Sequence, residues 1–520
     1  MEHVLALDLG TSGLKLALVT VRGHIVASAV EPYPLHLLPH GGAEQDPADW
    51  WDAVVRGTKR VVADSGVDPA GVIGVGCSSQ WSGTVPVDTE GRPLTRAIIW
   101  MDSRGAEQVR RIVRGFPMVE GYALGKLVAW IRRTGGAPGH QGKDSIAHVL
   151  FVRDHLPAIY RRTHLFLEPR DWINFRLSGR MVTTSDAVTL HWAADARDVR
   201  DVRYDRKLLR ITGLERSKLP DILPAASVLG PLRPEAADEL GLPPTAQVVT
   251  GAPDNMAAAI GAGAVRDFDA HLCLGTSSWL SCHVPYKKTD LFHNMASLPS
   301  AIPGRYFLAN EQESAGVCLA ELKEHILFPS DGGQSPEDPY GEMLALAAGV
   351  PAGSDGLIFA PWVNGERTPV DDRTARGGFF NQSLGTTRGH LVRAVLEGVA
   401  YNTRWLLVYV EKFVKRRLEA ITVVGGGGRS ELWCQVVADV LDRTILLPED
   451  PVMANARGAA LQASVALGRL TWDEVADNVP IARTFQPDAG NRAVYDTQFR
   501  EFLNLYKATR KIHARLNANR

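Results

Sequence analysis

The chain has 520 residues, enough at about 150 residues per domain for two large domains or three ordinary ones. Lys plus Arg total 57 and Asp plus Glu total 58, and a formal net charge of -1 gives no electrostatic footprint for nucleic acid or an acidic membrane. The 5 cysteines (Cys77, Cys273, Cys282, Cys318 and Cys434) lack any C-x-x-C spacing, which argues against zinc clusters and disulfide frameworks and favours the cytoplasm.

No run is apolar for the roughly 20 residues that a bilayer requires. The N-terminus places Asp8 inside its apolar stretch and does not read as a signal peptide. Residues 4–19 alternate as two short strands around a Gly10-Thr11-Ser12-Gly13 bend, the pattern of a hairpin. A helix is announced at Asp46-Pro47, with Trp51, Val54, Val55, Val61 and Val62 on its apolar face and Gly66 closing it. Residues 71–76 then read as a buried strand that empties into the polar loop Ser78-Ser79-Gln80-Trp81-Ser82-Gly83. Strands alternating with helices in this way predict an α/β architecture.

The string Leu7-Asp8-Leu9-Gly10-Thr11-Ser12 returns as Leu272-Cys273-Leu274-Gly275-Thr276-Ser277. The echo predicts two similar domains, 1–248 and 249–520, facing one another. Pro- and Gly-rich residues 328–339 read as a surface insertion. Beyond them a helix is expected from Thr387 through Leu391, Val395, Val399 and Trp405. Another should follow Gly425-Gly426-Gly427-Gly428, capped by Ser430. The tail 510–520 reads as the solvated end of a last helix.

A Gly-Thr-Ser bend can aim backbone N–H groups and hydroxyls at an anion, and two such bends could grip a polyphosphate from both sides. Asp8, an acid inside an apolar strand, needs a cation, and Mg²⁺ held through a carboxylate and phosphates would supply one. Asp254 and Asn255 stand at the start of a small-residue helix expected over 256–264. There a carboxylate serves either as an N-cap or as the general base that takes a hydroxyl proton. G-x-x-x-x-G-K-[ST], G-x-G-x-x-G and H-E-x-x-H are all absent.

With Asp8-Leu9-Gly10-Thr11-Ser12, Gly42-Ala43-Glu44-Gln45-Asp46-Pro47, Trp100-Met101-Asp102-Ser103-Arg104, residues 251–263, Gly365-Glu366-Arg367-Thr368-Pro369, Gly378-Phe379-Phe380 with His390-Leu391 through Glu397, and Gly425 to Ser430 in order, the chain resembles the FGGY carbohydrate kinases, in particular their xylulokinase-like branch. The resemblance implies an α/β fold of two actin-like, ribonuclease-H-like ATPase domains flanking a central cleft. It implies ATP held by Thr11, Ser12, Lys15, Gly275, Thr276, Ser277, Gly426, Gly427 and Ser430, Mg²⁺ at Asp8, and Asp254 as base. Gln80, Trp81, Ser82, Asp102, Asp254 and Asn255 would bind a small ketose, D-xylulose first. The alternatives are another pentulose or a polyol such as a tetritol, or a sugar and ATP sensor without transfer; the protein itself would be a monomer or homodimer. Where the branch usually shows Gln-Met-His-Gly, this chain has Gln80-Trp81-Ser82-Gly83, which removes a histidine donor from the sugar loop.

Overall fold

The computed structural model describes residues 1–329 and 335–518. Each half of the chain is built on one sheet, and the two sheets repeat a topology. In the first, β1 (His3–Leu9), β2 (Gly13–Thr20) and β3 (Ile25–Pro32) form an antiparallel meander. β4 (Val72–Ser79) and β5 (Gln247–Pro253) continue the sheet in parallel on the other side of β1, giving the order β3-β2-β1-β4-β5 with Val228–Pro231 at the edge. In the second half, β6 (Ala270–Leu274), β7 (Ser278–Val284) and β8 (Tyr306–Ala309) repeat the meander. β9 (Ala420–Val424) and β10 (Thr444–Pro448) repeat the parallel pair. The sequence echo therefore marks equivalent places: the end of the first strand and its bend into the second.

The two faces of β1 explain how the halves join. Leu5, Leu7 and Leu9 pack into a core with Trp50, Trp51 and Val54 of helix α1 (Pro47–Ser65). That helix begins as its sequence predicts, with Asp46 accepting from the Ala48 N–H at 2.9 Å, and ends at Gly66 in the left-handed region. Val4 and Ala6 face the opposite way, against Ala456, Ala459, Ala460 and Ala463. Because side chains alternate along a strand, Asp8 lies on this second face.

Helix α2 (Asp254–Gly261) starts two residues earlier than expected and stops sooner. Downstream, α3 (Arg388–Val414) and α4 (Glu431–Leu441) begin at the predicted caps, Thr387 and Ser430. Helix α5 (Ala454–Ala466) crosses α2 at backbone contact. A Cβ on Gly261 would lie 1.8 Å from the Ala454 carbonyl oxygen, and one on Gly458 only 1.9 Å from that of Ala257. Neither position admits any side chain, so these two glycines set the distance between the helices. Arg457 locks the crossing from inside, donating to the carbonyls of Gly23 at 3.2 Å and Glu449 at 2.6 Å.

The division expected at 248/249 falls within β5, every paired residue of which bonds into the first sheet. We place the division after α2 instead. The expected insertion over 328–339 lies partly outside the described residues, as do residues 519 and 520 at the end of the tail. The tail otherwise continues the final helix, Arg492–Asn517. Among the described residues no helix is long and apolar enough to cross a membrane.

Gly458→Ala is expected to lower stability by about 1–3 kcal/mol through overpacking. Gly125→Ala, at an exposed position in the first turn of the helix Leu124–Thr134 with open space around the new methyl, should instead gain up to about 1 kcal/mol. Urea unfolding midpoints of the two variants check the contrast.

Candidate active site

The two bends and the start of α2 converge between the halves. Lys15 is the cross-strand partner of Asp8 and lies 3.2 Å from its carboxylate. Asp8 holds the Lys15 ammonium above the ordinary lysine range, and Cys273 of the second hairpin and Asp254 of α2 are close enough to add to that field. Asn455, near the start of α5, donates to the other Asp8 oxygen at 3.3 Å. Sequence reasoning passed over Asn455; the trace it left was a second Ala- and Gly-rich helix resembling the one after Asp254.

The first bend is rigidly buttressed. Gly10 N–H bonds the carbonyls of Asp8 and Gly13, each at 3.1 Å. Trp100 Nε1 donates to Thr11 Oγ1 at 2.9 Å, and Gln45 Nε2 to the Thr11 carbonyl at 2.6 Å. Gln80 Nε2 in turn donates to Gln45 Oε1 at 2.7 Å, so a chain of side chains ties the polar loop after β4 to the bend. Thr11 stays half-buried and Ser12 exposed.

In the second half, Thr276 is exposed at the tip of its bend, while Gly275 and Ser277 are half-buried. The Gly275 carbonyl accepts from Gly316 N–H at 2.8 Å, and a Cβ on Gly316 would sit 2.6 Å from it. The glycine run lies against the same hairpin: a Cβ on Gly427 would meet Leu274 Cβ at 2.6 Å, whereas Gly426 is exposed beside open space. The Ser430 hydroxyl accepts from Trp433 N–H at 3.1 Å as the cap of α4, so Gly426 is the exposed glycine of this turn while Gly427 and Gly428 are buried.

Asp254 is reached through an unusual approach. β5 bulges at Gly251, whose φ is +70° and whose missing Cβ would overlap the Cys77 carbonyl oxygen at 1.7 Å. Pro253 then occupies the cap position, and the Asp254 carboxylate accepts only from Asn255 N–H, at 2.8 Å. The carboxylate is therefore not spent as an N-cap. Burial, and then the negative charge of Asp8, push its pKa up to about 7. That is the range in which a carboxylate exchanges protons with an alcohol most effectively at neutral pH.

The polar loop after β4 divides its residues. Gln80 is buried, with Oε1 unpartnered, and the Asn255 side-chain oxygen is buried and unpartnered as well. Two such atoms at one cleft wall are a place for hydroxyl groups to dock. Trp81 donates to the Ala187 carbonyl at 3.2 Å, and its ring packs on the cluster containing Met256 and Ile260, so it forms a wall. Ser82 sits in the left-handed region at φ +66° and spends its proton on the Lys143 carbonyl at 2.6 Å.

Asp102 is placed differently from the sequence expectation. Its carboxylate takes Ala43 N–H at 2.9 Å and three bonds from Arg104, and Asp102 is fully buried. The arrangement assigns it to holding its loop against the strand Gly42–Gln45, not to a sugar hydroxyl. Sequence reasoning also missed the wall contributed by the second half. There Arg367 pairs with Glu311 and with Glu313 at 2.7 Å, and Arg373 with Glu313 at 2.8 Å.

Two lobes of repeated topology, with the uncapped Asp254 carboxylate near their junction, belong here to a carbohydrate kinase. Residues 3–261 match the N-terminal domain model, and residues 270–467 the C-terminal domain model, of the FGGY family of carbohydrate kinases. The chain belongs to that family. It is 28% identical to the xylulose kinase of Staphylococcus epidermidis over 540 residues, covering 99% of this chain and 98% of the relative. It is 24% identical to the gluconokinase of Bacillus subtilis over 509 residues, covering 97% and 95%. The crystal structure of xylulose kinase from Rhodospirillum rubrum superposes with a TM-score of 0.82 at 30% identity, covering 98% of this chain and 100% of that one.

Trp100→Phe removes the indole donor from Thr11 and should cost about 0.5–1.5 kcal/mol of stability, with the KM for nucleotide rising. Denaturant titration and initial rates against ATP read the two effects separately.

Proposed function

We propose that the protein transfers the γ-phosphate of ATP to a hydroxyl of a small ketose, D-xylulose first, with Asp254 as the general base. Another pentulose or a tetritol polyol remains the alternative acceptor. The observation that carries this reading is the meeting of both Gly-Thr-Ser bends with an uncapped carboxylate whose pKa is pushed up to about 7. A regulator that only senses sugar and ATP would have no use for a carboxylate so tuned.

In the proposed step, the ionised Asp254 carboxylate takes the proton of the acceptor hydroxyl as that oxygen bonds to the γ-phosphorus. The bond from the γ-phosphorus to the bridging oxygen breaks, and ADP leaves with the electron pair. Thr11, Ser12, Thr276 and Ser277 supply donors to the phosphates from the two halves, and Gly426 leaves room for the adenosine, with Gly427 buried behind it. Lys15 adds positive charge next to the transferred group, where positioning and charge neutralisation do most of the work. Gln80 and Asn255 orient the acceptor through their unpartnered side-chain atoms.

Mg²⁺ typically binds through one or two carboxylates plus substrate phosphates and waters. Asp8 is a buried carboxylate at the foot of the first bend and would share its two oxygens between the ion and their partners Lys15 and Asn455; among the described residues no cluster of three acidic, histidine or cysteine side chains forms a cage. When bound, the ion would neutralise charge on the β- and γ-phosphates. We place the reaction in the cytoplasm, where ATP is available.

Asp254→Asn should retain ATP binding but lose about 10²–10⁴ in turnover, read as ADP release in a coupled assay. Undiminished turnover would remove Asp254 from the mechanism. For the unsubstituted protein, kcat/KM for the acceptor should climb with pH through about 7 and then level off, because the base works only when deprotonated. The residual activity of Asp254→Asn should lack that limb.

A further inference from the structure

The loop Gln80 to Gly83 is fastened from behind by a buried acid. Strand Leu165–Leu167 pairs antiparallel with Val85–Val87, Leu167 opposite Val85, and this register brings the next residue, Glu168, to the end of the loop. Glu168 occupies the cap position of helix Pro169–Ser178, yet its side chain makes no cap bond. It accepts instead from Gly83 N–H at 2.9 Å and from the Ser145 hydroxyl at 2.5 Å, one bond to each carboxyl oxygen. Ser145 opens helix Ser145–His155, and just before it the Lys143 carbonyl takes the Ser82 proton. One side chain therefore joins the loop to the start of that helix. Position 83 has to be glycine for the approach, because a Cβ there would lie 2.2 Å from Pro169 Cγ.

Glu168 also lines a cavity of about 10 Å³, room for one water, together with Gln80, Trp81 and Pro253, the residue before Asp254. It thus borders the same gap as the loop that carries the unpartnered Gln80 oxygen. Glu168 is buried and makes no ion pair among the described residues. Arg170, on the same cavity, is engaged by Asp171 and Asp186 at 3.4 Å each and donates to Thr184 at 2.7 Å. Burial pushes the Glu168 pKa up to about 8. An apolar side chain would fill this place without the cost of burying an acid, so what Glu168 supplies is its pair of bonds at a fixed spacing.

We propose that Glu168 is a positioning residue for phosphoryl transfer: through Gly83 it fixes the loop that presents Gln80 and Trp81 to the acceptor, touching neither acceptor nor nucleotide itself. The inference rests on the acceptor reading above.

The test measures initial rates for the unsubstituted protein, Glu168→Met and Glu168→Gln, varying ATP and the acceptor separately; the acceptor is D-xylulose, or whichever pentulose or tetritol the unsubstituted protein prefers. Methionine fills a similar space without a group for Gly83 N–H. Glutamine can accept from Gly83 with its oxygen and donate to the Ser145 oxygen with its nitrogen. Glu168→Met should raise the acceptor KM about 5- to 50-fold with the ATP KM unchanged, and Glu168→Gln should bring the acceptor KM back close to that of the unsubstituted protein. A fall in kcat that only tracks the folded fraction, an equal rise in both KM values, or no recovery with glutamine overturns the role of Glu168 and leaves the kinase reading standing. If Glu168→Met does not fold, Ser145→Ala replaces it; freeing one carboxyl oxygen should raise the acceptor KM alone, about 3-fold or more, and an unmoved KM overturns the proposal. If the unsubstituted protein phosphorylates no ketose or polyol, the acceptor reading falls and this inference with it.

Discussion

The contact on which the site depends is the crossing of helices α2 and α5, where Gly261 and Gly458 let backbone meet backbone. Each helix carries in its first turn a polar residue coupled to Asp8: Asn455 of α5 bonds its carboxylate, and the charge of Asp8 acts on Asp254 of α2. α5 belongs to the second half of the chain yet packs over the small-residue face of β1, the face that carries Asp8. A bulkier pair at the crossing would separate these groups, so packing at the centre of the molecule and proton chemistry at its cleft are one constraint.

A second level of organisation is the repeated sheet. In each half the bend after the first strand faces phosphate in the proposed reaction, and the loop after the fourth strand faces the rest of a ligand. That fourth-strand loop is Gln80 to Gly83 in one half and Gly425 to Gly428 in the other. The halves then diverge in this loop. In the second half Gly426 is exposed beside open space, whereas Gln80, Trp81 and Ser82 in the first are locked by hydrogen bonds to Gln45, Ala187 and Lys143.

Much of this was legible in the chain because local signals and tertiary demands agree. The Gly-Thr-Ser echo located both bends, Asp46 and Gly66 bounded α1, and Ser430 marked the start of α4. What stayed hidden depends on contacts between distant residues. Asp102, expected at the sugar, has its carboxylate taken by Ala43 and Arg104, and Asn455, which bonds Asp8, carried no motif at all. The domain division misled because Gly and Pro around 243–250 signal an irregular backbone. They do not reveal that the strand they introduce pairs in the first sheet.

The close crossing also carries a mechanical consequence. Two backbones in contact at glycine make an axle, and under any rocking of the lobes an atom moves through an arc proportional to its distance from that axle. Asp254 heads one of the rods that form it, and Val424, two residues before Gly426, packs against Ala258 and Ala454 of both rods. Rocking of the lobes would therefore leave the hub, and the carboxylate at its end, nearly stationary.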